Sequence, residues 1–193
     1  MRQSLIAAYE DSPSMDRGIL QLMSIIYDGV NKTALMDYVR QCNLPAFKDG
    51  NFSQVTLTEV INRLMRKNLI VKGERSQLHC HFLMLEEATR RSVKGGHFEA
   101  MAQSVQKKRR SVLPGNSLYF VNYNQTLSEL RIAFHRGDMP RVKQILSTGE
   151  RFFPREFVQY PPWLLVFNNP LCPDEMWTLP DDLISEALTM LFT

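Results

Sequence analysis

The feature that most constrains this chain is the order of its periodic segments between Asp16 and Phe82. Ile19, Leu20, Met23, Ile26 and Tyr27 recur at intervals of three and four, which predicts an amphipathic helix ending at Asp28-Gly29. Asn31 is placed to cap a second helix in which Ala34, Leu35, Tyr38, Val39 and Cys42 share a face, with Pro45 just past its end. A polar loop, Lys48-Asp49-Gly50-Asn51, follows. Ser53 then stands at an N-cap position, and Val55, Leu57, Val60, Ile61, Leu64 and Met65 form the buried stripe of a third helix running to about Asn68. Next come two extended runs, Leu69 to Lys72 and Leu78 to Phe82, joined by Gly73-Glu74-Arg75-Ser76 as a hairpin turn. Three helices and then a hairpin predict a winged helix-turn-helix domain over residues 16–93.

The flanks complete a mainly α (α+β) architecture. Residues 1–15 read as a lead-in, with Leu5, Ile6 and Tyr9 at helical spacing. Residues 84–106 read as helix interrupted at Gly95-Gly96, with Met84, Leu85, Ala88, Val93, Phe98, Met101 and Val105 apolar. Residues 94–116 are expected to be a connecting helix and basic linker, because Lys107-Lys108-Arg109-Arg110 leads into Pro114-Gly115-Asn116-Ser117. Beyond it, 117–193 is expected to be a helical domain built on an αα-hairpin. Leu127, Leu130, Ala133 and Phe134 mark one helix, and Val142, Ile145 and Leu146 the next. Gly137-Asp138 breaks the chain between them, with Asp138 as cap and Pro140 in the first turn. Phe152, Phe153, Phe157, Tyr160, Trp163 and Phe167 crowd the stretch 152–170, where packing between helices is the expected use. A short helix is expected after Pro173 and a last one from Pro180-Asp181, with Leu183, Ile184, Ala187, Leu188 and Leu191 apolar.

Charge and missing motifs narrow the function classes. Residues 1–110 hold 17 basic and 11 acidic side chains, whereas 111–193 hold 6 and 9. The first part is therefore able to meet a polyanion, and the whole chain (+3) is no general polycation. No apolar run approaches the ~20 residues of a membrane helix, and the N-terminus lacks the pattern of a secretory signal. Cys42, Cys80 and Cys172 are odd in number and far apart, so a soluble, cytoplasmic protein without a disulfide framework is expected. Lys32-Thr33 lacks the glycines of a phosphate-binding loop, and nucleophile-elbow, dinucleotide and His-Glu-x-x-His patterns are absent. No catalytic residue, cofactor or metal is expected in this chain. His79 and His81 share a strand face, but four-ligand zinc spacing is missing, which favours Cys80 in the core and the histidines outside.

The third helix is the candidate contact surface. Gln54, Thr58, Asn62, Arg63, Arg66 and Lys67 lie off its apolar stripe, and are donor-rich types suited to base edges and phosphates of duplex DNA. Lys72 and Arg75 on the hairpin would meet the adjacent backbone, and Lys107, Lys108, Arg109 and Arg110 could hold further phosphates. Each set also has an ordinary explanation. Cations near a helix C-terminus offset its dipole, and a basic run at a linker is often only solvated.

Several motifs together carry a family resemblance. Residues 16–93 resemble the winged-helix segment near the N-terminus of large bacterial Swi/Snf-type, DEAD/DEAH-box-like helicases. Leu130-Arg131-Ile132-Ala133-Phe134-His135-Arg136-Gly137-Asp138 is similar to a Leu-Arg-Ile-Ala-Leu-Tyr-Arg-Gly-Asp pattern of their accessory regions. Asn169-Pro170, Trp177-Thr178-Leu179-Pro180 and the closing helix resemble its continuation. The resemblance implies a non-catalytic, nucleic-acid-binding accessory region preceding a helicase motor in cis, with ATP and magnesium belonging to that motor. The apolar helix at the chain end fits the expectation of a fragment. A protein–protein docking scaffold and a free-standing winged-helix transcription regulator are the alternatives.

Overall fold

The computed structural model describes residues 1–42, 44, 47, 52–109, 118–167 and 179–191. It is mainly helical and divides into two compact units, Met1–Arg110 and Ser111–Thr193.

The first unit is built around α2 (Ser14–Ile26), in which Asp16 and every residue from Gly18 to Ile26 are buried. A helix buried all round must be enclosed by its neighbours. Those neighbours are α1 (Arg2–Glu10), α3 (Lys32–Gln41), α4 (Gln54–Arg66), α5 (Leu85–Lys94) and α6 (Phe98–Arg109). Polar side chains of α2 brought inside find partners. The Ser24 and Thr89 hydroxyls lie 3.0 Å apart between α2 and α5, and Gln21 donates to the Tyr9 hydroxyl at 2.6 Å. The expected caps form: Asn31 accepts from the Ala34 amide at 2.8 Å, and Ser53 from the Thr56 amide at 3.2 Å.

The predicted hairpin is β1 (Ile70–Lys72) paired antiparallel with β2 (Leu78–Cys80), in the register Ile70 to Cys80 and Val71 to His79. Val30, between α2 and α3, adds a one-residue bridge on the other side of β2 by exchanging both backbone hydrogen bonds with Leu78, at 3.0 and 2.8 Å. The spatial order is thus Val30, β2, β1. At the tip, Arg75 and Ser76 adopt left-handed backbone, and Gly73 donates to the Gln77 carbonyl at 2.8 Å. The His79 ring fills a slot between Gly29 and Gly73; a Cβ on either glycine would lie 2.5 Å from it. His81 accepts from the Leu83 amide and stacks on Phe82. The two histidines thus serve local structure, and Cys80 is buried as expected.

Several expectations change. Residues 1–15 hold the short helix their spacing suggests, but it is part of the first unit rather than a lead-in to it, because α1 buries Leu5 and Tyr9 there. Residues 98–109 are not a connector either. Phe98, Met101, Ala102, Ser104 and Val105 of α6 are buried, and Ser104 donates to the Tyr38 carbonyl at 2.9 Å. Burying that face ties α6 to α2 and α3, so the unit boundary falls after Arg110. Val55 and Val93, expected in apolar stripes, are exposed, because each lies off the arc its helix buries.

The second unit contains the αα-hairpin. α7 (Tyr123–His135) and α8 (Met139–Phe152) are capped by Asn122 and Asp138, and Gly137 turns between them at φ 69°. Leu127, Leu130, Ala133, Phe134, Val142, Ile145 and Leu146 are all buried, as their spacing predicts. The fully buried Arg131 donates to the Leu165 carbonyl at 3.3 Å, tying α7 to the short π-helical segment Trp163–Phe167. α9 (Pro154–Gln159) follows α8, and α10 (Asp181–Leu191) is the last helix. Phe153 and Phe157 pack edge-on against Tyr123, yet Phe152 and Tyr160 are exposed, so the aromatic stretch is only partly core. The expected helix after Pro173, the Pro114-Gly115 linker and the loop 48–51 lie outside the described residues. Among the described residues no helix is long and apolar enough to cross a membrane.

Candidate nucleic-acid interface

The inner arc of α4 (Leu57, Val60, Ile61 and Leu64) is fully buried and fixes how the helix is rotated. With 3.6 residues per turn, the rest of its surface falls into an outer stripe and a flank. Gln54, Thr58, Asn62 and Arg66 recur every fourth residue and form the stripe. Gln54, Asn62 and Arg66 are exposed, and Thr58 is half-buried with its hydroxyl donated to the Gln54 carbonyl at 2.9 Å.

The flank holds Arg63 and Lys67, and both are engaged inside the fold. Arg63 makes a bidentate pair with Asp16, Nε to Oδ2 at 2.9 Å and Nη2 to Oδ1 at 2.7 Å. The Asp16 side chain is 0% exposed, so the guanidinium is the counter-ion of a buried carboxylate. That hydrogen bond raises the Arg63 pKa above its ordinary value. Lys67 donates from Nζ to the Ala8 carbonyl (3.1 Å), the Asp11 carbonyl (3.2 Å) and the Ser12 hydroxyl (2.9 Å). An ammonium there satisfies carbonyls that the end of α1 leaves unpaired.

On the stripe side, a groove of about 420 Å³ opens between three elements. Asn31, Lys32 and Thr33 at the start of α3 form one wall, Asn62 and Met65 of α4 another, and Lys72 and Ser76 of the hairpin the third. Lys32, Arg66, Lys72 and Arg75 are exposed and make no ion pair with any described residue. Glu59 and Glu74 are the acidic side chains exposed on α4 and at the hairpin tip. Donors therefore exceed acceptors on this face, and the amides at the start of α3 add partial positive charge beside Lys32.

The basic run is dispersed. Lys107 is exposed, whereas Lys108 donates to Asp37 at 2.8 Å and lies 4.7 Å from the centre of the Tyr38 ring. The Lys108 hydrogen bond holds the Asp37 carboxyl below its ordinary pKa. Arg109 is half-buried at the end of α6, and Arg110 lies outside the described residues.

Of the sequence candidates, Asn62 and Lys72 line this groove, Gln54, Thr58 and Arg66 continue the same stripe of α4, and Arg75 is exposed at the hairpin tip; Arg63, Lys67 and Lys108 are engaged elsewhere. Lys32 and Thr33 join that face without having been sequence candidates. Their only sequence signal is the Asn31 cap, which places them in a first helical turn but does not say what that turn lies against. Among the described residues no cluster of three or more His, Cys, Asp or Glu side chains could hold a metal. No protein-family model, curated protein or solved structure matches the chain.

Proposed function

We propose that Met1–Arg110 is a winged helix-turn-helix unit that contacts duplex nucleic acid, with α4 as the helix entering the major groove and the hairpin as the wing. The element order supports this, as does the ladder in which Val30 joins β2 and β1. The observation that carries the reading is the face itself. A polar stripe along α4 is flanked across the groove by Lys32 and Lys72, with exposed Arg75 at the hairpin tip, none of them neutralised by a described residue. Arg66, Lys32, Lys72 and Arg75 would meet phosphates, and Gln54 and Asn62 base edges. The resemblance of residues 16–93 to helicase winged-helix segments adds a role as an accessory region beside a motor, which would supply the ATP chemistry.

The test is a fluorescence anisotropy titration of a labelled DNA duplex at two salt concentrations. Wild type should bind with a Kd of roughly 10⁻⁴–10⁻⁶ M, as for non-specific complexes. The Arg66→Ala/Lys72→Ala/Arg75→Ala variant should bind at least about tenfold more weakly. Its salt slope should be shallower by about 0.9 for each phosphate that the variant no longer neutralises. Equal binding by the two proteins would refute this face as the DNA-binding surface.

A protein-docking role is the second reading. Val55 (68% exposed) and Val71 (40% exposed) put apolar surface on α4 and β1, which DNA would not use. Absence of binding at low salt by folded wild type would favour it.

A further inference from the structure

A second cavity, of about 370 Å³, lies between α1, α2 and α5. Ser14, Arg17 and Gln21 approach it from one face of α2, spaced by three and four residues; Tyr9, Arg91 and His97 complete its polar lining. Among the described residues its charges are not balanced. Arg91 donates from Nε to Glu87 at 2.8 Å and from Nη2 to Glu10 at 2.9 Å, and its guanidinium lies 5.9 Å from the centre of the Tyr9 ring. Arg2 also pairs with Glu87, at 3.6 Å. Two carboxylates thus serve two arginines, and Asp16 is occupied by Arg63. Arg17, half-buried in the same cavity, meets no carboxylate among the described residues.

A guanidinium partly withdrawn from water, with no counter-ion among the described residues, is set to take an anion. The neighbouring donors narrow the class. The Ser14 hydroxyl, the Arg17 fork and the His97 imidazole all line the cavity and are three separate donor groups, which suits the several oxygens of a phosphate better than a planar carboxylate. Gly18 and Leu44 join Tyr9 in the lining and leave part of it apolar for an organic substituent, and the volume is within the range of small-ligand sites. We propose that this cavity binds a phosphate monoester, with Arg17 as its principal ligand. The site is separate from the α4 and hairpin face and stands whether or not that face binds duplex DNA.

Calorimetric titration of the full chain at fixed ionic strength, with inorganic phosphate and with adenosine monophosphate as probes, tests it. Saturable binding is expected. Arg17→Met should weaken it by about tenfold or more, through removal of one charge-assisted pair. Arg17→Lys keeps the charge and stem but loses the fork, and should weaken binding several-fold while folding as wild type does. Arg40→Ala, at an exposed position of α3, controls for general charge and should match wild type. A 5′-phosphorylated single strand and its 5′-hydroxyl twin separate the two sources of such a phosphate. A preference for the phosphorylated strand that Arg17→Lys reduces assigns the site to a nucleic-acid end, and binding of the monophosphate alone assigns it to a free small molecule. Lack of saturable binding of either probe by wild type, or equal binding by Arg17→Lys and Arg17→Met, overturns the proposal.

Discussion

The two sides of α4 carry similar residues in opposite employment. Arg63 and Lys67 on the flank are bound to Asp16 and to the end of α1, so their charges hold the first unit together. Arg66, one helical turn beyond Asn62, extends into solvent with Lys72 and Arg75. The difference comes from the neighbours. A cation placed over a buried carboxylate or unpaired carbonyls is consumed by the fold, and the same cation over open solvent keeps its hydrogen bonds for a partner. Basic residues on a helix therefore cannot be counted as a binding surface until the packing of each flank is known.

Four substitutions would break or sharpen this contrast. Arg63→Ala should have the largest effect, because it leaves the Asp16 carboxylate buried and unpaired. A reduction of about 2–4 kcal/mol in urea unfolding is expected, somewhat below the cost of breaking a fully enclosed pair, since the Arg63 side chain is 37% exposed. Its folded fraction should still bind duplex DNA as wild type does; a selective defect in binding with stability intact would move Arg63 to the DNA-binding face. Lys67→Ala comes next, at about 1 kcal/mol, for its charge-assisted bonds to the end of α1. Ser53→Ala removes the α4 cap and should cost about 0.5–1 kcal/mol, read as a lowered midpoint with an unchanged denaturant slope. Arg66→Ala should have the smallest effect on stability, no more than about 0.5 kcal/mol. If it shifts the unfolding midpoint as far as Lys67→Ala does, the stripe and the flank are not distinct.

Local chemistry is legible in the sequence. Ser53, Asn31 and Asp138 stand at cap positions, and each accepts the amide hydrogen bond expected of it. Two short β-rich runs around Gly73 mark the hairpin, and apolar spacing with Gly137 marks the αα-hairpin. Such features depend on residues within one or two turns of each other, so the sequence holds both partners of every interaction.

What only the tertiary structure decided involves residues far apart in the chain. Asp16 and Arg63 are 47 positions apart, and nothing in either helix announces the pair. The α6 helix, expected as a connector, is core because its apolar face meets α2 and α3, and Val55 is exposed because the rotation of α4 is set by Leu57, Val60, Ile61 and Leu64. Periodicity alone determined that these helices exist and, in the main, which arc each would bury. Which cations remain available to a partner followed from long-range packing, because burial and pairing are properties of the neighbours a side chain acquires on folding.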